Sequence, residues 1–220
     1  MTIKPGHEII FSSNRMEITM AEKASIEERI IEAGIALAKQ AGSKEIQVND
    51  ICEQAGVSKG TFYKYFKSKD GLFSQIYSSM EPRIMELLPG ILLKDISPLQ
   101  QFWLVFRCLI DRTIELGPKG VEYIARSGFN DSGTHAFLYS GNDSKLRAAH
   151  ISLIKKCQAA GLIRSDCEAE LLMEHISLFV VGVNIQWSAS NGGFDYTEKL
   201  FEHFMLLLEA HPDFGPFDDP

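Results

Sequence analysis

The sequence predicts an all-α protein, and three observations carry that expectation. From residue 25 onward, apolar residues recur at the helical period of about 3.6 residues in one segment after another. No strictly alternating apolar–polar run is long enough to demand a strand. Cap residues and Gly or Pro breaks separate the periodic segments from one another.

With 220 residues, 45% of them hydrophobic, the chain can bury a proper core and has room for a small domain followed by a larger one. The expected division is a flexible N-terminal arm over 1–24, a three-helix domain over 25–73, a larger helical domain over 74–210 and a flexible tail over 211–220. The arm contains Pro5, Gly6 and the polar run Ser12-Ser13-Asn14-Arg15. The tail, from His211 to Pro220, has three prolines and three aspartates.

Taken in order, the first helix is expected to start at Ser25, because Ser25-Ile26-Glu27-Glu28 fits a capping box. Ile26, Ile30, Ala33 and Leu37 then form its apolar stripe, widened by Ile31, Ile35 and Ala38, and Gly42 ends it. A short second helix spans Val48 to Ala55, with Val48, Ile51, Cys52 and Ala55 inward. Gly56-Val57 makes a tight turn, and a third helix runs from its cap at Ser58 to Tyr65. Ser68 caps a fourth helix beginning near Lys69, with Leu72, Phe73 and Ile76 facing in. Leu99 to Leu116 reads as a long helix that Gly117-Pro118 stops, followed by a shorter one over Val121 to Arg126. Residues 127–144 are rich in Gly, Ser, Asn and Asp and read as loop, with Phe129, Phe137 and Tyr139 embedded. Further helices are expected over Lys145 to Ala160, Ala169 to Ala189 and Tyr196 to Ala210.

Several function classes are disfavoured. No apolar stretch approaches the roughly 20 residues of a membrane helix, and no signal peptide is read at the N-terminus. Cys52, Cys108, Cys157 and Cys167 are scattered, which suits buried thiols in a reducing cytoplasm. Ser/His/Asp, H-E-x-x-H, P-loop and G-x-S-x-G patterns are missing, so no catalytic residue and no cofactor is expected. His150, Cys157, Cys167 and His175 match no standard zinc spacing, and no metal ligand set is assigned. The net charge of -7 argues at first against a nucleic-acid partner. Its distribution matters more: residues 1–80 hold ten basic and ten acidic side chains, and the remainder supplies the whole deficit. Lys59, Lys64, Lys67 and Lys69 fall within eleven residues that contain no acid, a local basic patch that can grip phosphates.

Two short helices joined by Ala55-Gly56-Val57 have the form of a helix-turn-helix. Gly56 tolerates the positive φ of a sharp turn, and Phe62 and Phe66 hold the second helix to the core. That helix then offers hydroxyls, lysines and a tyrosine on its exposed side, the composition of a major-groove probe.

The run Ala55-Gly56-Val57-Ser58-Lys59-Gly60-Thr61-Phe62-Tyr63-Lys64-Tyr65-Phe66, followed by Ser68-Lys69-Asp70 and Leu72, resembles the DNA-binding domain of the TetR family of bacterial regulators. The resemblance covers residues 25–73. It implies that Tyr63 and Lys69 contact phosphates, that Lys59, Thr61 and Tyr65 lie at or near the groove, and that Gly60 permits close approach; Lys64 is counted with these DNA-binding residues for its place on the exposed side of the same helix. Gln47 stands where the family commonly has a capping Thr or Ser, and Cys52 where Ala is usual.

The resemblance further implies that residues beyond about 80 form a ligand-sensing and dimerisation domain. Leu171, His175, Leu178, Gly182 and Ile185 form one stripe on the last two helices, and Leu200, Phe204, Leu207 and Leu208 another. Such a pair suits half of a four-helix bundle completed by a second copy. An apolar effector pocket is expected from Phe102, Trp103 and Phe106, from His150, Ile154 and Cys157, and from Met173, His175 and Phe179. The expected protein is a homodimeric, cytoplasmic, ligand-responsive repressor on double-stranded DNA. It would grip a palindromic operator with its probe helices roughly 34–36 Å apart. A lipophilic or aromatic effector would release it by shifting the helix that starts near Lys69. A DNA-binding dimer without an effector, and a metal-sensing regulator, stay open at this level.

Overall fold

The computed structural model describes the backbone of residues 13–42, 44–130 and 144–210, and the side chains of 26–42, 44–126 and 144–210. Among these residues the fold is all-α, with nine helices and no strand. They are α1 (Ser13–Ala41), α2 (Val48–Ala55), α3 (Lys59–Tyr65), α4 (Lys69–Ser78), α5 (Met80–Leu92), α6 (Pro98–Asn130), α7 (Lys145–Ala159), α8 (Ala169–Ala189) and α9 (Tyr196–Leu208).

The first helix corrects an expectation. It begins at Ser13, so Ser25 lies inside it and part of the expected arm is helical. Met16 to Ala24 contains no Gly or Pro, and Met, Glu, Ala and Lys are good helix formers. A capping signature sets a start only where the preceding chain cannot continue the helix. The rest of the arm, the tail from His211, and Phe137 and Tyr139 lie outside the described residues.

In α1, Ile30, Ala33 and Ala38 are buried against Ile51, Cys52 and Ala55 of α2 and Phe62 of α3. Burying one such aliphatic or aromatic side chain contributes about 1.5–3 kcal/mol. This small core sets the angle between the two short helices. Gly56, at φ 64°, turns the chain between them, and its N–H closes onto the carbonyl of Glu53.

α6 is the axis of the molecule and touches α1, α4, α5, α7, α8 and α9. The expected break is present: Gly117 sits at φ 71° and ψ 167°, and Pro118 opens the second half as a first-turn proline. That second half runs on to Asn130, so the expected loop over 127–144 starts later than the Gly- and Ser-rich composition suggests. α5 was not separately anticipated. It buries Met80, Ile84 and Leu88 against the body.

Candidate nucleic-acid interface and its junction with the body

The seven residues of α3 are held at both ends by the rest of the small domain. The Ser58 hydroxyl accepts from the Thr61 N–H at 3.1 Å and also pairs with the Thr61 hydroxyl at 2.9 Å. On the inner side, Phe62 is fully buried and packs on Phe66 with ring centroids 5.8 Å apart. The helix therefore has one fixed rotation. That rotation leaves Lys59, Gly60, Tyr63 and Lys64 exposed and Thr61 and Tyr65 half-buried. Tyr63 is 54% exposed and stands edge-on to Phe62. A β-carbon added at Gly60 would have only the Ser58 hydroxyl near it, at 3.8 Å.

The turn before α3 has a support that the sequence reading missed. Arg29 of α1 donates to the carbonyls of Ala55 and of Gly56, the latter at 3.1 Å, and so caps the end of α2. Basic side chains are favoured at helix C-termini, but a partner 26 residues away leaves no local mark in the sequence. At the other end of α2, Asp50 accepts from the Gln47 N–H at 2.9 Å. The acid in the first turn thus forms the reciprocal half of a capping box with Gln47, which offsets the exchange of a Thr or Ser cap for Gln.

Lys69 is placed differently from the other expected contact residues. Its ammonium turns inward, donates to Glu45 and, at 2.8 Å, to the Ile46 carbonyl, and its side chain is 18% exposed. The reason is Glu45, in the loop between α1 and α2. This carboxylate is also held by Arg126 at 3.1 Å and Lys119 at 3.3 Å, both from the second half of α6. Hydrogen bonding from Lys69, assisted by Lys119 and Arg126, lowers its pKa to about 2 against the pull of burial. Lys119 is itself buried and bonded to Glu122 at 2.7 Å. Burial alone would lower the Lys119 pKa, but Glu122 and Glu45 outweigh it and the net shift is upward.

Tyr123 lies beneath this cluster, fully buried. Its ring stacks on Phe73 of α4 at 4.9 Å, and its hydroxyl accepts from the Ile46 N–H at 2.8 Å. Lys69, Lys119 and Arg126 all lie over the ring, between 4.9 and 5.6 Å from its centroid. The loop leading into α2 is therefore fastened to the body through Tyr123, and to α4 and the body through Glu45. Neither residue stood out in the sequence.

The residues expected to line an effector pocket are brought together, but as packed core. Phe102, Trp103, Phe106, His150, Ile154, Cys157 and Met173 are all buried. Phe106 meets His150 at 5.6 Å and Phe204 at 4.5 Å, and Phe102 meets His150 at 5.5 Å. Phe179 is half-buried and stacks on His203 at 4.6 Å. His175 is a correction: it lies on the exposed face of α8, one turn from Leu171 and Leu178. Burial raises the Cys157 thiol to about 12. Among the described residues, no three His, Cys, Asp or Glu side chains are grouped to hold a metal ion, and no helix is long and apolar enough to cross a membrane.

The expected α8 stripe faces outward, with Leu171, Leu178 and Ile185 each between 45% and 56% exposed. The α9 stripe does not. Leu200, Phe204 and Leu208 are buried within the subunit, because α9 turns its apolar face onto Trp103 and Phe106 of α6. The outward apolar residue of α9 is Leu206.

Comparison with known proteins places this geometry. Residues 30–76 match the sequence profile described as "Bacterial regulatory proteins, tetR family". The chain is 34% identical over 86 residues to the HTH-type transcriptional regulator YvdT of Bacillus subtilis, a match that covers 39% of this chain and 42% of that protein. It is 25% identical over 197 residues to the probable acrEF/envCD operon repressor of Escherichia coli, covering 80% and 82% of the two chains. Among solved structures it resembles Thermus thermophilus FadR, a TetR-family transcriptional repressor in complex with lauroyl-CoA. There the TM-score is 0.51 at 21% identity, over 86% of this chain and 100% of that one. The matched segment is the small domain that presents α3, so the chain carries the N-terminal domain of the tetR family of bacterial regulatory proteins, and the longer match to the repressor extends into the helical body.

Proposed function

We propose that the protein is a homodimeric, ligand-responsive repressor that grips a palindromic operator through α3 and lets go when a small organic molecule binds the body. The observation that carries this reading is the outer face of α3. Lys59, Gly60, Tyr63 and Lys64 are exposed on a helix whose rotation Phe62 and Phe66 fix. Nothing inside the fold requires a glycine at position 60, because a β-carbon there would meet only the Ser58 hydroxyl, at an ordinary contact distance of 3.8 Å. Its requirement is then external, as for a helix that must come close to a nucleic-acid backbone. The roles assigned to Tyr63 at a phosphate and to Lys59, Thr61 and Tyr65 at or near the groove rest on the same face, which Lys64 shares. Lys69 would join them only by leaving Glu45.

Repression is supported by the relatives, two of which carry that description, and an effector by the lauroyl-CoA bound to one of them. The dimer is supported by the exposed stripe on α8. The aromatic cluster between α6, α7 and α9 is tightly packed, so an effector entering there would have to displace buried side chains.

The test separates fold from function at one position. Gly60→Ala removes a flexible residue from a helix and is expected to leave stability unchanged or raise it by up to about 1 kcal/mol. It is also expected to weaken binding to a fragment selected from genomic DNA at least tenfold, a loss of about 1.4 kcal/mol. Tyr63→Phe, which removes one hydroxyl, should weaken the same binding with no change in melting temperature. Selective, salt-sensitive DNA binding that ignores both substitutions would remove α3 from the interface.

A further inference from the structure

A cleft of about 580 Å³ opens between the end of α1, the second half of α6 and the C-terminal end of α8. One wall is apolar, from Val121, Ala125, Ile185 and Ala189, and the other carries the cations Lys119 and Arg126 together with Glu122, which is bonded to both. These are the two body cations that hold Glu45. The three members differ in their freedom to move. Lys119 is 6% exposed and fixed by Glu122, so it cannot follow a departing partner. Glu45 sits on a loop with its side chain 39% exposed, so it can leave for water at little desolvation cost.

We propose that this cleft is the effector site and that it takes a small organic anion: a carboxylate, sulfonate or phosphate ester on a compact apolar body. The anionic group replaces Glu45 on Lys119 and Arg126, while the body covers Val121, Ala125 and Ala189. Glu45 is a strong competitor, so a bare inorganic anion does not suffice. The buried apolar area supplies the difference. Release of Glu45 loosens the loop that leads into α2, and with it the rotation of the small domain on α6. Ile185 belongs to both the cleft and the exposed stripe of α8, so the dimer seam would border the site. The inference deepens the ligand-responsive reading and, in its effect on DNA, rests on it.

The test uses two fluorescent probes with the same apolar body, 8-anilinonaphthalene-1-sulfonate and its uncharged congener N-phenyl-1-naphthylamine, titrated into the full-length protein. The sulfonate is expected to bind at least about tenfold tighter than the neutral probe. Arg126→Gln, at an exposed position, abolishes most of that preference. Ala125→Phe fills the cleft and weakens both probes. Glu45→Gln removes the competitor and tightens the sulfonate about tenfold while leaving the neutral probe unchanged, an effect that simple loosening of the fold does not produce. Helical content is followed by circular dichroism in every variant. Equal affinity for the two probes, or sulfonate affinity indifferent to Glu45 and Arg126, overturns the proposal. DNA binding measured without probe in the same samples keeps the readings apart. If DNA binding persists while the probe pattern fails, the cleft alone is refuted. If the probe pattern holds and DNA selectivity is absent, the regulator reading is refuted and the site stands. In a protein for which both hold, saturating sulfonate lowers DNA affinity by about 5–150-fold.

Discussion

His150 is completely buried, with Phe102 and Phe106 edge-on to its ring and Nδ1 donating to the Leu146 carbonyl at 2.9 Å. Burial holds its pKa down at about 4, and the hydrogen bond to Leu146 recovers only part of the shift. The sign follows from which state takes the proton. Below about 6.5 the unfolded chain protonates this imidazole and the folded protein does not. Stability contributed by the neutral ring is therefore complete above that pH and is lost as pH falls toward 4, at about 1.4 kcal/mol per unit. Urea midpoints from pH 7.5 to 5.5 should fall for the wild type beyond what the carboxylates account for. They should fall less steeply for His150→Leu, whose absolute stability is lower or higher according to packing but whose slope lacks this proton. Parallel slopes would mean that the ring already titrates in the folded state. Charge on the surface behaves differently. Glu45 keeps its negative charge throughout this range, because Lys69, Lys119 and Arg126 hold its pKa far below it.

At the level of the helices, Gly117 makes the clearest prediction. Its φ of 71° and ψ of 167° belong to a region that only glycine occupies comfortably. A β-carbon there would be 3.6 Å from the Ala38 carbonyl oxygen, ordinary contact, so a Gly117→Ala variant suffers conformational strain without a clash. The expected cost is about 1–3 kcal/mol, read as a lower denaturant midpoint with an unchanged slope. An unaffected midpoint would mean that α6 can run straight through. This break was legible in the sequence because Gly-Pro is local chemistry, as were the Ser58 and Ser68 caps, each of which accepts an N–H three residues on. The start of α1 was not legible, since helix formers before Ser25 let the helix continue past a good cap. The inward turn of Lys69 and the roles of Glu45 and Tyr123 were not legible for a different reason. The Ile46–Tyr123 bond joins residues 77 apart, and only the fold brings them together. The α9 stripe shows a third limit. Period alone marks an apolar face, but whether that face meets its own subunit or another depends on where α6 lies, and here Trp103 and Phe106 claim it. The exposed residues of α3 were the most legible part of the candidate site, because phenylalanines one turn apart fix the opposite face.

For the molecule as a whole, the distribution of charge and apolar surface has to be reconciled with DNA binding. The first 80 residues are neutral overall and the rest is acidic, so the charge balance favours an approach to DNA by the domain that presents α3 over one by the body. One copy of a seven-residue helix offers few contacts, and a second copy at fixed separation makes the next half-site an intramolecular event. The exposed residues Leu171, Leu178 and Ile185 recur every seven residues along α8, the seam spacing of packed helices, and Gly182 between them leaves room for close approach. Leu178, at 56% exposed, touches little in its own subunit, so Leu178→Asp should not disturb the monomer fold. It places a charge in the centre of the proposed seam, where a second copy would bury it without a partner. Sedimentation should show a dimer for the wild type and a monomer for the variant at micromolar concentration. Circular dichroism should show the same helical content in both. Operator affinity should fall by about 100-fold or more, as expected when two linked half-site contacts become independent. A variant that stays dimeric and keeps its DNA affinity would move the seam away from α8, and the exposed stripe would then need a different occupant.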